Sequence, residues 1–102
     1  MANDMYNYLV EPKAQKEYDE SIEWYSERSE LAAINFIKSV DAALLLITKK
    51  PYQFKNTYKN FREVSLKKYP FAIIYSVEEN LKIIIIVSIY HHKRNPKKKY
   101  KL

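Results

Sequence analysis

The chain has 102 residues, 47% of them hydrophobic and 15% aromatic, enough for one domain around a single core and too few for a second. It contains no cysteine and no glycine, which excludes disulfides, thiolate chemistry and every glycine-rich phosphate cradle. The net charge of +6 is split along the chain: residues 1–30 hold 8 acids and 3 bases, and residues 31–102 hold 4 acids and 15 bases. Such segregation points to a polyanion or an acidic protein meeting the C-terminal part, with ordinary solubility charge as the plainer explanation.

The first ten residues include Asp4 and lack a basic stretch followed by an apolar run, so a secretory signal is not expected and the cytoplasm is the expected location. Tyr6, Tyr8 and Val10 alternate with Asn7 and Leu9 in a β-prone run. Pro12 then suits the first turn of a helix. From Pro12 to Arg28, Ala14, Tyr18, Ile22 and Tyr25 recur at helical spacing, and Lys16, Glu17, Asp19, Glu20, Glu23 and Glu27 form an acidic outer face. Ser29 is placed to cap a second helix carrying Ala33, Ile37, Val40, Leu44 and Ile47, which Lys49, Lys50 and Pro51 bring to an end. The aromatic set Tyr18, Trp24, Tyr25 and Phe36 is assigned to the core at this spacing.

A Lys-, Asn- and Tyr-rich loop reaches Asn60, after which the period becomes that of strands at 61–66, 71–77 and 81–89, with turns at Pro70 and at Glu78, Glu79 and Asn80. In the last strand Ile83, Ile85, Val87 and Ile89 are expected to point one way and Ile84 and Ile86 the other, a pattern that places it centrally in the sheet. Its apolar run is far shorter than the roughly 20 residues of a membrane span, so no membrane contact is expected. Residues from about 91 to 102 form a basic tail with six Lys or Arg and no acid. The expectation is one α+β domain over residues 1–102, β-α-α-β-β-β, with a helical hairpin packed on one face of a mainly antiparallel sheet.

Three features follow one another in order: Phe61-Arg62-Glu63 opening the second strand, Tyr69-Pro70-Phe71 with the apolar stretch ending in Tyr75, and a last strand running into His91-His92-Lys93-Arg94-Asn95-Pro96. Together with the element order they resemble the RelE/ParE toxins of type II toxin-antitoxin systems, over nearly the whole chain. The resemblance implies a growth inhibitor, of the kind tied to plasmid stabilization and stress response, neutralised by a cognate antitoxin that covers the basic surface. It implies no cofactor and no metal. RelE-like members cleave mRNA on the ribosome, whereas ParE-like members inhibit DNA gyrase. The His-His-Lys-Arg-Asn-Pro ending is closer to the ParE-like branch, which leaves the endoribonuclease as the alternative and a non-toxic basic nucleic-acid-binding module as a third reading.

Metal-free RNA cleavage needs a base for a 2′-hydroxyl, cations for the developing phosphorane charge and an acid for the leaving oxygen. Arg62 as a phosphate fork, Glu63 as base, and His91 or His92 as proton carrier are the catalytic candidates, with Tyr90 or Tyr100 available to stack on a nucleobase. A plainer role for Arg62 is an ion pair with Glu63 or a neighbouring acid. The two histidines take opposite faces if the strand persists, so one at most faces a cleft. Lys67, Lys68, Lys93, Arg94, Lys97, Lys98, Lys99 and Tyr100 are the candidates for target or antitoxin binding, since clustered cations steer and bind without exacting geometry.

Overall fold

A computed structural model describes residues 5–93. Strand β1 (Asn7–Val10) leads into helix α1 (Pro12–Arg28) and helix α2 (Glu30–Lys49), followed by strands β2 (Asn56–Tyr58), β3 (Phe61–Ser65), β4 (Phe71–Glu78) and β5 (Ile83–His91). Pro12 occupies the first turn of α1, where its missing N–H costs nothing. Ser29 is the whole joint between the helices. Its extended backbone (φ −165°) ends α1, and its side chain accepts a hydrogen bond from Ala32 N–H at 3.2 Å to cap α2.

The strands form one sheet in the order β1-β5-β4-β3-β2, with β1 and β5 parallel and the other pairs antiparallel. Both helices cover one face. Ala14 of α1 and Phe36, Val40, Ala43 and Ile47 of α2 are buried against Ile73, Tyr75, Ile84, Ile86 and Ile89. Phe36 is the hub of an aromatic cluster, with ring centroids 5.1–6.0 Å from those of Tyr18, Tyr25, Tyr69 and Phe71. By length and composition α2 reaches the threshold of a membrane span, with a mean hydropathy of 1.7, yet its buried stripe lies on the sheet as a core helix does.

The alternation expected for β5 breaks at a β-bulge. Tyr75 pairs with Ile86 and Ile74 with Ser88, which leaves Val87 as the extra residue. Ile89 therefore joins Ile84 and Ile86 on the helix side, not Ile85 and Val87, and Val87 and Tyr90 cluster with Ile74 away from the helices. Glu17 holds the bulge. Its Oε1 accepts from Ile89 N–H at 3.0 Å and from Ser88 Oγ at 2.8 Å, while Lys13 Nζ lies 3.3 Å from its Oε2. Only 8% exposed, Glu17 is not part of the acidic outer face to which its position in the helix assigned it. The carboxylate satisfies a peptide group that β1, paired only with Ile83 to Ile86, is too short to reach.

Two further expectations are corrected. The stretch before Asn60 is not all loop, because β2 pairs with β3 and makes the sheet five-stranded. Its hairpin turns at Lys59 in the left-handed region (φ 50°), a position usually signalled by glycine. Lys68 and Lys82 do the same at the next two turns (φ 69° and 54°). Trp24 is 50% exposed and lies outside the core, with the Arg28 guanidinium 3.5 Å from its ring centroid. It precedes Tyr25 by about 100° around the helix, enough to carry it off the buried stripe.

Candidate partner-binding groove

β2 is only three residues long, so β3 beyond Arg62 has no strand on its outer side, and α2 overhangs it. The result is a groove of about 660 Å³. Its floor is apolar, from Ala42, Ala43 and Leu46 of α2 together with Phe54, Val64 and Leu66. Its rim carries Lys38 of α2 and Lys67 and Lys68 of the β3–β4 turn, and no acid lines it. The turn is tied to α2 at two points, Ser39 Oγ donating to Lys67 C=O and Tyr69 OH donating to Ala32 C=O, both at 3.3 Å. These bonds and the left-handed backbone at Lys68 fix where the two turn lysines stand. An apolar floor with a cationic rim is chemically complementary to an acidic segment with one apolar face.

The sequence candidates fall in several places. Arg62 turns onto the loop before β2, donating to Phe54 C=O at 2.7 Å and Tyr52 C=O at 3.3 Å with its guanidinium 5.1 Å from the Tyr52 ring centroid. Glu63 takes the opposite face of β3, since Arg62 is registered with Tyr75 of the helix-side core and Glu63 with Ile74 of the far cluster. His91 is registered with Phe71 and meets its ring edge-on at 4.8 Å. Tyr75 and Phe71 are four residues apart on β4, so Arg62 and His91 are offset by about 13 Å along the strands, with β4 between them. β5 ends at His91, and His92 lies in an exposed turn with its N–H donating to Pro70 C=O. The four candidates for proton transfer and charge stabilisation are not gathered at one point.

His91 and Lys93 line a second hollow, of about 790 Å³, on the α1 flank, where the rim is acidic (Glu20, Glu23, Glu27) and the walls aromatic (Trp24, Tyr25, Phe71). Arg94, Lys97, Lys98, Lys99 and Tyr100 lie outside the described residues. Among the described residues no group of three or more His, Asp or Glu is placed to hold a metal ion.

Two features escaped the sequence reading. Lys38 completes the basic rim, and the surplus of apolar residues at Ala42 and Leu46, off the core stripe of α2, was the signal for a second apolar face there. The other is a polar knot at the opposite end of the sheet. Glu79 Oε1 accepts from Tyr6 OH (2.8 Å) and Tyr52 OH (2.6 Å), and Lys82 Nζ donates to Oε2. Hydrogen bonds from Lys82 and the two tyrosines hold the Glu79 carboxyl down at about 2, and the same carboxylate pushes Tyr52 up to about 12. The knot anchors the loop carrying Tyr52 and Phe54, the one whose carbonyls hold Arg62. Tyr75 OH fastens the same loop by donating to Pro51 C=O.

The fold has counterparts among solved structures. A chain of the chromosomal ParDE TA system from P. aeruginosa superimposes with a TM-score of 0.73 at 17% identity, covering 87% of this chain and 98% of that one. The isolated E. coli RelE toxin superimposes with a TM-score of 0.59 at 13% identity, covering 92% of each chain. No curated protein sequence matches the chain. The family profile described as ParE toxin of type II toxin-antitoxin system, parDE, matches residues 8–96, which takes in both helices and, but for Asn7 at the start of β1, all five strands. The chain belongs to the ParE toxin family of type II toxin-antitoxin systems.

Proposed function

We propose that the chain is a cytoplasmic growth inhibitor of the ParE type, held inactive by a cognate antitoxin and acting on DNA gyrase by binding, without cleaving RNA. The observation that carries this reading is the dispersal of the catalytic candidates. Arg62 spends its guanidinium on two carbonyl groups and an aromatic ring, and His91 is offset from it by about 13 Å along the strands, on the far side of β4. A nuclease needs its base, acid and cations within hydrogen-bond reach of one phosphate. Membership of the ParE family supports the same branch.

The groove between α2 and β3 is the place for the antitoxin. Lys38, Lys67 and Lys68 around an apolar floor suit an acidic, amphipathic segment, and such a segment brings the charge that the basic rim lacks. Two experiments test the proposal together. Expression of the chain alone should arrest growth, and co-expression of the neighbouring reading frame should relieve the arrest. Purified chain should inhibit gyrase supercoiling and leave mRNA on translating ribosomes intact. Codon-positioned mRNA cleavage abolished by His91→Ala or His92→Ala, with supercoiling untouched, establishes the RelE-like ribonuclease instead.

A further inference from the structure

Helix α2 presents a third face beside those on the sheet and in the groove. Phe36, Val40, Ala43 and Ile47 are buried on the sheet. On the outer side, Leu31, Ile34, Lys38, Asp41 and Leu45 follow one another at spacings of three, four, three and four, the rhythm by which one helix lays a single stripe along another. All five are exposed, and the aliphatic ones heavily so: Leu31 65%, Ile34 41% and Leu45 48%. Neither Lys38 nor Asp41 forms an ion pair among the described residues.

The order of residues in this stripe is self-complementary. We propose that it is a self-association surface on which a second copy of the chain packs its α2 antiparallel to the first, about a two-fold axis midway between Lys38 and Asp41. Under that axis Lys38 meets Asp41 of the partner subunit and Asp41 meets Lys38 of the partner subunit. One turn outward on each side, Ile34 meets Leu45 of the partner subunit. Two opposite-charge layers at the centre are thus flanked by two apolar layers, and one rotation satisfies all four contacts. The parallel arrangement sets lysine against lysine and aspartate against aspartate, so charge selects the antiparallel one. A two-fold contact of this kind closes on itself and yields a dimer with no further growth. Because it rests on one five-turn helix, it belongs at the small end of specific interfaces, and the dimer should dissociate in the micromolar range.

Sedimentation equilibrium of the purified full chain, from low to high micromolar concentration, tests the proposal. Lys38 also lines the basic groove, so the decisive single variants are Asp41→Lys and Leu45→Glu, at positions outside that groove. The parent chain should show a reversible monomer–dimer equilibrium. Each single variant should weaken it by roughly tenfold or more, since Asp41→Lys faces like charges across the axis and Leu45→Glu removes an apolar layer. The double variant Lys38→Asp, Asp41→Lys exchanges the signs of both pairs and should return the dissociation constant to within a few-fold of the parent. Circular dichroism confirms that each variant is folded, as expected for exposed positions. A chain that is monomeric throughout, a dimer indifferent to Asp41→Lys, or a folded double variant that stays monomeric overturns the proposal. Growth arrest and antitoxin binding are read separately, so failure here leaves the toxin assignment standing.

Discussion

The helical hairpin leaves a hollow on each flank. On the α1 flank the hollow is walled by Trp24, Tyr25 and Phe71 and rimmed by three glutamates; on the α2 flank it is floored by aliphatic residues and Phe54 and rimmed by three lysines. Both arise for the same geometric reason, a cylinder lying on a twisted sheet that it does not fully cover. Their chemistry differs because the chain segregates its charge, acids before residue 31 and bases after it. One architecture therefore offers two surfaces of opposite sign. Shape alone does not distinguish the one proposed for an acidic antitoxin segment, and charge does.

The largest expected effect strikes what the two flanks share. Phe36 touches rings belonging to both sides, so Phe36→Ala should cost about 3 to 5 kcal/mol in chemical denaturation and loosen both hollows at once. Next comes Glu17, which serves only the α1 side. Glu17→Ala leaves Ile89 N–H and Ser88 Oγ without their acceptor, at a cost of about 2 to 3 kcal/mol, and should speed amide exchange at Ile89 well ahead of that at Ile73. Equal acceleration at both amides would mean global unfolding and no local role in the bulge.

The sharpest contrast between the flanks is in binding. Lys67→Glu with Lys68→Glu should weaken antitoxin affinity by roughly 10- to 100-fold in a calorimetric titration, and Glu23→Lys with Glu27→Lys should leave it nearly unchanged. Similar losses for both pairs would show that net charge, not the groove, is being read. Tyr75, pushed up to about 12 chiefly by burial, shares the alkaline limit with Tyr52. A raised tyrosine pKa means the folded state resists ionisation. The stability it contributes is intact below pH 10 and drains away as pH rises from 10 through 12, so the melting temperature should fall less steeply across that window for Tyr75→Phe. The smallest effect is Ser39→Ala, which loses one 3.3 Å bond between α2 and the β3–β4 turn and should cost under about 1 kcal/mol.

How much of this was legible beforehand depended on whether the signal was local. Pro12 and Ser29 are caps, and the apolar periods of both helices are regular, so the hairpin followed directly. The interior place of β5 followed from its apolar character on both faces. That same character hid the bulge, because a run of four isoleucines and a valine offers no alternation from which a register slip can be seen. Glu17 was misplaced because a strand edge 71 and 72 residues away decides its environment. Lys67 and Lys68 were named as binding candidates from charge alone, whereas the place of Lys38 beside them in one groove needed the overhang of α2 on β3. The partners of Arg62 are carbonyl groups, which every residue carries, so no side-chain pattern could have named them.

Three hairpin turns in a glycine-free chain place Lys59, Lys68 and Lys82 in a backbone conformation that a side chain disfavours by roughly 1 kcal/mol or more. The residue that would relax each turn is the one that would also erase its cation. Strain relief and charge display are therefore a single heritable trait at these positions. A more stable variant is easily found there, but at Lys68 it removes a cation from the rim proposed for the antitoxin and at Lys82 it loosens the Glu79 knot. Selection for inhibition under antitoxin control would keep such turns strained, and selection for stability alone would fill them with glycine.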